Sequence, residues 1–400
     1  MTQSGATGLA AGYAWRVSLF YGALFSVTGV QLPFFPVWLD WRGMTAQDIA
    51  FIGALPMLAR VIAAPLFAHL ADRSGRHRQV LIWVAWSGCA ALMLLGLARG
   101  FWTIFALSLA FAVVWTSVIP LTETIAVAGV RAAGLDYGRM RVWGSLTFVA
   151  ANFAGGLLLD GTGPWAAIWL IATLAAATAL AALVMPAPPM TGVAHSRPSL
   201  RSAFGLVREP VFLTFLVATG AVQAAHAVFY TFGTLHWRAS GLSAAWCGGL
   251  WAIGIVAEIL LFTFSAHVLR AIEPVRLMCV GAAAAVVRWL LMGFDPPLAA
   301  LIPLQVLHGV TYGATHLGAI HFIGRRVGDH EGGTAQALYA SVNGGIAMGL
   351  AVMVAGHAYA AAGGRAYWAM AALAAVGLAA SVMLERGGRQ PHSSRVGGAT

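Results

Sequence analysis

The chain has no lysine: all 23 of its basic residues are arginine. Charge of either sign is scarce, at 9% of 400 residues, where a soluble protein carries roughly 25%. So little charge cannot clothe a chain of this length in water. With 60% hydrophobic residues and a mean hydropathy of +0.81, the sequence reads as one whose solvent is lipid. Cysteine is nearly absent too. Cys89, Cys247 and Cys279 are odd in number and scattered through apolar runs, which excludes a disulfide framework and offers no zinc or redox spacing. They read as small apolar fillers. Also missing are a Walker-type phosphate loop and a dinucleotide fingerprint, so ATP is not the expected driving force. His330-Glu331 begins a zincin motif whose second histidine is lacking. No cofactor and no metal are expected.

What is present is long apolar stretches. About 20 apolar residues cross a hydrocarbon core of ~30 Å as a helix. Twelve such runs lie near 14–38, 46–70, 79–97, 101–129, 138–159, 164–185, 210–236, 243–268, 276–293, 298–323, 334–360 and 365–385. They do not alternate in the short segments of a membrane β-barrel. Residues 1–13 lack a basic leader region, so the first run is expected to be retained rather than cleaved. The expected class is an all-α membrane protein of twelve helices.

The net charge of +10 would suit a nucleic-acid partner, but its distribution points elsewhere. If the N-terminus is cytoplasmic, seventeen arginines fall on the cytoplasmic side and only Arg42, Arg99, Arg238 and Arg365 on the other. Arg60 and Arg288 are mid-helix. This is a positive-inside bias, and it puts both termini in the cytoplasm. The polar, Pro-rich stretch "PAPPMTGVAHSRPSLRS" follows the sixth run and leaves six runs on either side. The expected organisation is a first bundle (1–185), a cytoplasmic linker (186–209), a second bundle (210–386) and a polar tail (387–400). Two six-helix halves around a midplane site are a common transporter plan.

At "LADRSGRHR" the sequence resembles the major facilitator superfamily, whose loop between the second and third helices reads G-x-L-a-D-R-x-G-R-R. Asp72, Arg73, Gly75, Arg76 and Arg78 match; Ala68 and His77 depart from the pattern. The resemblance implies two pseudo-symmetric six-helix bundles and makes Asp72, Arg73, Gly75 and Arg76 a cytoplasmic gate. The matching loop of the second half, "AHVLRAIEPVR", is degenerate. "YGRMRVWGS", "QAAHAVFY", "WAIGIVAEI" and "LQVLHGVTYGATH" look more narrowly like the phenylpropionic acid transporter branch, related to lactose permease and the nucleoside–proton symporters. That likeness implies a bacterial-type inner membrane, a monomer, a small-molecule solute and protons as partners.

Charges at the bilayer centre cost at least ~2.5 kcal/mol each and need a partner or a function. The acids inside helices are Glu123 and Glu258; the bases are Arg60 and Arg288, with Arg139 and Arg141 at a helix start. Structural ion pairs are the plain alternative, although desolvation offsets much of the gain from a buried pair. By resemblance, Glu123 and Arg141 would bind the solute, and Glu258 and Arg288 would couple protons. At about 100° per residue, Gln305, His308, Tyr312 and His316 share a stripe about 80° wide, expected to line a wet cavity. His321 lies about 160° from Gln305, on the far face. Gln223, His226 and Tyr230 form a second stripe, with Trp251 and Phe229 as aromatic walls. Plain interhelical hydrogen bonds are the alternative for each. Where lactose permease carries a proton-releasing acid three residues after the histidine, this chain has Thr311.

The expected function is proton-coupled uptake of an aromatic carboxylate. The solute site would take Glu123, Arg141, Gln223, His226, Tyr230, Trp251 and Tyr312, and the coupling site Glu258, Arg288, His308 and His316. A sugar or nucleoside symporter is the alternative within transport. A membrane-embedded enzyme using Glu123 or His308 lacks a nucleophile–base pair, and a sensor lacks an output domain.

Overall fold

In lipid every backbone N–H and C=O must find its partner within the chain, which favours helices. The computed structural model describes residues 3–188, 199–328 and 331–388, and contains no strand among them. His330, residues 189–198 of the expected linker and nearly all of the expected tail lie outside the described residues.

The first six runs are α1 (Gln3–Trp41), α2 (Ala46–Ser74), α3 (His77–Leu97), the pair α4 (Phe101–Trp115) and α5 (Val118–Ala133), α6 (Tyr137–Thr162) and α7 (Ala166–Val184). After a short α8 (Leu200–Arg208) come α9 (Pro210–Ala224) and α10 (Ala227–Ala239), which together make the seventh run. The eighth is α11 (Ala244–Thr263) with α12 (Ser265–Ala271), and the ninth is α13 (Pro274–Met292). The tenth joins α14 (Leu298–His308) to α15 (Thr315–Arg326), and the eleventh joins α16 (Gly332–Ser341) to α17 (Met348–Ala362). The last is α18 (Ala366–Gly388).

Among the described residues, eleven helical stretches are long and apolar enough to span a membrane, and the last, Gly332–Gly387, has 56 residues. That length holds two of the expected runs, separated by a tight turn at Gly363–Arg365. All twelve runs are therefore helical.

Ends and breaks follow from local chemistry. Thr45 and Asp48 cap α2 reciprocally, and Gly75 closes it at φ 63°, a left-handed conformation that glycine adopts freely. Pro210 and Pro274 start α9 and α13, where a missing N–H costs nothing. Pro120 explains the break between α4 and α5, because it cannot bond the Thr116 carbonyl. The tenth and eleventh runs loosen into π-turns at Gly309–Ala314 and Val342–Ala347. Such turns open a helix locally and recur at functional positions.

Packing divides the chain into two compact units. The first holds the described residues of Met1–His195, Ala227–Val256 and Met348–Ala366; the second holds those of Ser196–His226, Ala257–Ala347 and Tyr367–Thr400. In the first, α1 lies against α6 and α7, and α2 against α4 and α17. Backbones touch where glycines face them: a Cβ on Gly156 would stand 2.3 Å from the Ala244 carbonyl oxygen, and one on Gly248 would stand 2.1 Å from that of Asn152. Small residues are what allow membrane helices so close. In the second unit, α13 packs on α15 and on the π-turn preceding it. Its core gathers Phe212, Phe215, Met278, Phe322 and Tyr339, with Phe215 stacked on Phe322 at 4.6 Å between centroids.

Candidate functional site

The second unit carries a buried polar cluster. Arg288, in the middle of α13, is fully buried. Its Nη1 donates to His308 Nδ1 at 3.0 Å and to Thr311 Oγ1 at 3.2 Å, and its Nη2 donates to Gln305 Oε1 at 2.9 Å. Arginine only donates. His308 Nδ1 therefore accepts, and the proton of its neutral ring sits on Nε2, which lies 3.9 Å from Glu258 Oε2. The sequence pairs Glu258 with Arg288; the structure sets His308 between them. Beside this, His226 Nδ1 donates to the Val222 carbonyl at 3.0 Å, leaving Nε2 to accept from the Thr311 hydroxyl at 3.1 Å. Thr311 thus relays between Arg288 and His226.

The rings of His308, Tyr312 and His316 stack in a column, 5.6 and 6.0 Å apart between centroids. His316 ends it against the Tyr339 hydroxyl at 2.8 Å. The expected stripe therefore survives the π-turn, but its setting differs from expectation. Gln305 and His308 are buried rather than open to a wet cavity, with Gln305 Oε1 and His308 Nδ1 turned to the Arg288 guanidinium. His321 bonds the Leu317 carbonyl of its own helix. Gln223 is buried in the same unit.

The first unit holds Glu123 and Arg141, with Arg141 Nε 3.9 Å from Glu123 Oε1 and both about one-third exposed at 31%. Tyr137 donates to the other carboxylate oxygen at 2.8 Å. The Arg141 guanidinium lies 3.9 Å from the Phe25 ring centroid and 5.5 Å from that of Tyr21. This is a charged pair with an aromatic floor, open enough to be reached by a solute. Trp251 is buried, stacked on Phe229 at 4.5 Å, and it donates to Thr234 at 2.9 Å. It supports Tyr230, 5.9 Å away, rather than forming a wall itself.

Tyr230 borders a cavity of about 310 Å³ enclosed by α1, α2, α4, Thr116 and α10. Arg60, Gln31, Ser108, Phe111 and Trp115 line it as well. The sequence marks Arg60 as a mid-helix charge without giving it a place. Tyr137, Tyr21 and Phe25 escape sequence reasoning too, although Tyr137 lies within "YGRMRVWGS". Nothing in the sequence marks Tyr339.

In the candidate gate, Asp72 Oδ1 bonds His77 Nε2 at 2.9 Å, while Arg73 and Arg76 are exposed. Gly75 donates its N–H to the Asp72 carbonyl. Arg78 donates to the Met185 carbonyl at 2.6 Å and fastens the loop to the end of α7.

Comparison with known proteins fits this architecture. The family described as MFS_1 like matches over residues 14–370. The chain belongs to that family. It is 29% identical over 364 residues to a probable 3-phenylpropionic acid transporter of Escherichia coli (strain K12), covering 90% of this chain and 94% of that one. It is 27% identical to a maltose permease of Geobacillus stearothermophilus, covering 85% of this chain and 86% of that one. The crystal structure of the nucleoside transporter NupG superposes with a TM-score of 0.83 at 16% identity, over 95% of this chain and 100% of that chain, a likeness of fold. The protein is a multi-pass membrane protein of the major facilitator fold and a secondary transporter, in a family of transporters rather than enzymes.

Proposed function

We propose that this transporter couples proton movement to the uptake of a small aromatic carboxylate. The observation that carries the coupling is the chain Glu258–His308–Arg288, in which a histidine N–H is aimed at a carboxylate and fixed from behind by a buried guanidinium. Glu258 is the proton carrier in this reading, with a side chain still 19% exposed. Arg288 and His308 hold it in register, and His316 continues the ring column. Glu123, Arg141, Gln223, His226, Tyr230, Trp251 and Tyr312 handle the solute. Solute sites are mostly apolar with a few fixing polar groups, which suits an aromatic acid. The similarity to a probable 3-phenylpropionic acid transporter supports the same class.

The wider reading belongs with it. The chain works as a monomer in a bacterial inner membrane, with both termini and the 186–209 linker cytoplasmic. Residues 1–185 and 210–386 act as its two moving halves, and Asp72, Arg73, Gly75 and Arg76 gate the cytoplasmic side. The arginine asymmetry supports the orientation.

Reconstituted vesicles supply the test. A radiolabelled aromatic acid should accumulate against its gradient when protons flow with it. Glu258→Gln should abolish accumulation yet spare exchange of labelled for unlabelled solute. Accumulation by Glu258→Gln under the same pH gradient would remove Glu258 from coupling. A second reading, a sugar or nucleoside symporter, is favoured by the Tyr137–Glu123–Arg141 group, whose carboxylate suits hydroxyl donors. Preference of the wild type for neutral sugars over aromatic acids would select it.

A further inference from the structure

We infer that the exposed face of α8 is a binding site for the headgroup of an anionic phospholipid. The inference stands apart from the solute and coupling reading and needs only a membrane around the spans.

The place of α8 follows from its neighbours. A single residue, Glu209, separates it from Pro210, where the apolar stretch Pro210–Ala239 begins. Its C-terminal end therefore stands where a span leaves the membrane. The helix packs on α9 and α16. Leu206 is its buried anchor, in one core with Phe212 and Phe215. At the other end the Ser199 N–H donates to Thr334 Oγ1 at 3.2 Å, and the Ser199 side chain caps the helix by accepting from the Ser202 N–H. Both ends of α8 are thus held at the membrane boundary.

The face turned away from the protein is sorted by chemistry. At about 100° per residue, Val207, Phe204, Arg208, Arg201 and Gly205 follow one another around an arc of about 160°, centred opposite Leu206. Phe204 is 65% exposed and Val207 37%. Both arginines are exposed as well. An apolar edge therefore runs beside a basic one. That order suits a helix lying in the headgroup layer, with the apolar edge toward acyl chains and the arginines toward phosphates. Among the described residues no carboxylate pairs with Arg201 or Arg208, and the adjoining Glu209 is held by Arg326 at 3.1 Å.

Gly205 carries the argument further. Glycine weakens a helix interior, yet a Cβ at this position would meet nothing within 4 Å. Packing within the protein does not require it. Its missing side chain leaves a notch, with Arg201 one turn before it and Arg208 one turn after. A phosphate can approach the backbone there while guanidinium N–H groups grip its oxygens in pairs. Phe204 distinguishes a lipid from a free anion. An exposed ring beside the notch gains cover only when the phosphate brings a hydrocarbon body with it.

The test uses the full chain in detergent, with native mass spectrometry comparing retention of phosphatidylglycerol and zwitterionic phosphatidylethanolamine. The wild type should hold one phosphatidylglycerol most tightly. Arg201→Gln with Arg208→Gln should weaken that binding by roughly ten- to thirty-fold. Phe204→Ser should weaken it by a few-fold. Arg386→Gln removes an exposed arginine at the end of α18, outside this face, and should leave binding unchanged. An equal loss with Arg386→Gln would show a diffuse charge effect and overturn the site, as would no loss with the double variant. Displacement of phosphatidylglycerol by equal inorganic phosphate, with Phe204→Ser silent, would make this a free-anion site and overturn the lipid. Should the double variant lower the melting temperature, Gly205→Leu decides. It fills the notch, keeps both arginines and favours the helix, so it should weaken phosphatidylglycerol binding; unchanged binding overturns the proposal.

Discussion

Arg288 Nη1 donates to His308 Nδ1 at 3.0 Å within the second unit. That one bond fixes the histidine tautomer, because a ring nitrogen that accepts from arginine carries no proton. The N–H is left on Nε2, which lies 3.9 Å from Glu258 Oε2. A fully buried guanidinium thus organises Gln305, His308 and Thr311 together.

The first prediction concerns this charge balance. Arg288→Gln removes the donor shared by three side chains and leaves the Glu258 carboxylate without its balancing cation. Breaking a buried pair from one side costs about 3–5 kcal/mol, whereas removing both charges costs less. The melting temperature in detergent should therefore drop sharply for Arg288→Gln and recover in part for Arg288→Gln with Glu258→Gln. Strictly additive shifts would mean that His308 does not couple the two.

A second prediction tests the aromatic floor under Arg141. A Cβ on Gly144 would stand 2.7 Å from Phe25 Cδ2 and 3.0 Å from Arg141 Nη1. Gly144→Ala must push the ring and the guanidinium apart. A cation–π contact is worth about 0.5–2 kcal/mol, so solute affinity should fall by a few-fold with little change in melting temperature. Phe25→Leu should do the same. Affinity unmoved by both changes would take this pair out of solute handling.

These residues also show how far the sequence reaches. Helix positions are legible because lipid leaves an apolar run little choice, and Pro120 even announces the break at Thr116. The break at His226 and the π-turns carry no comparable mark in the local sequence; the π-turns lie against α13 and α9, which are distant in the chain. The helical wheel places Gln305 and His308 on one stripe but cannot say that Arg288, about twenty residues earlier, reaches both. Glu123 and Arg141 are findable as an acid and a base on adjacent runs. Tyr137, Phe25 and the Arg60 cavity depend on helices far apart in the chain, and no local pattern encodes them.

Asp160 yields a third prediction. Its Oδ1 accepts from the Ala244 amide at 2.7 Å and from Arg238 at 3.1 Å, while Oδ2 accepts from the Ala245 amide at 2.9 Å. These amides open α11, so the carboxylate serves as the helix cap and meets the positive end of its dipole. Asp160→Ala strips the cap and a part-exposed ion pair, at a cost of about 1–2 kcal/mol. Hydrogen exchange over residues 244–247 should quicken by roughly ten-fold, with α3 amides unaffected as an internal control. Unchanged protection across 244–247 would show that α11 starts without help from α6.

The last prediction turns on Thr311. Its hydroxyl accepts from Arg288 and donates to the Nε2 of buried His226. Thr311→Val keeps the shape and removes both bonds, leaving a ring nitrogen and a guanidinium hydrogen unmet in the bilayer interior. Stability should fall by about 1–3 kcal/mol, and Thr311→Ser should restore it. Thr311→Asp goes the other way. Its carboxyl occupies nearly the hydroxyl's place, so it sets a negative charge against Arg288. In the wild-type background this adds a second acid to the cluster. In the Glu258→Gln background it replaces the missing one, and the melting temperature lost through Glu258→Gln should return. Proton-driven accumulation should stay absent, because the new acid faces Arg288 and His226 rather than the Nε2–H of His308. Stability that does not return would show that Glu258 balances a charge other than Arg288. Accumulation that does return would show that an acid beside Arg288 suffices for coupling, and that the His308 bridge is not required.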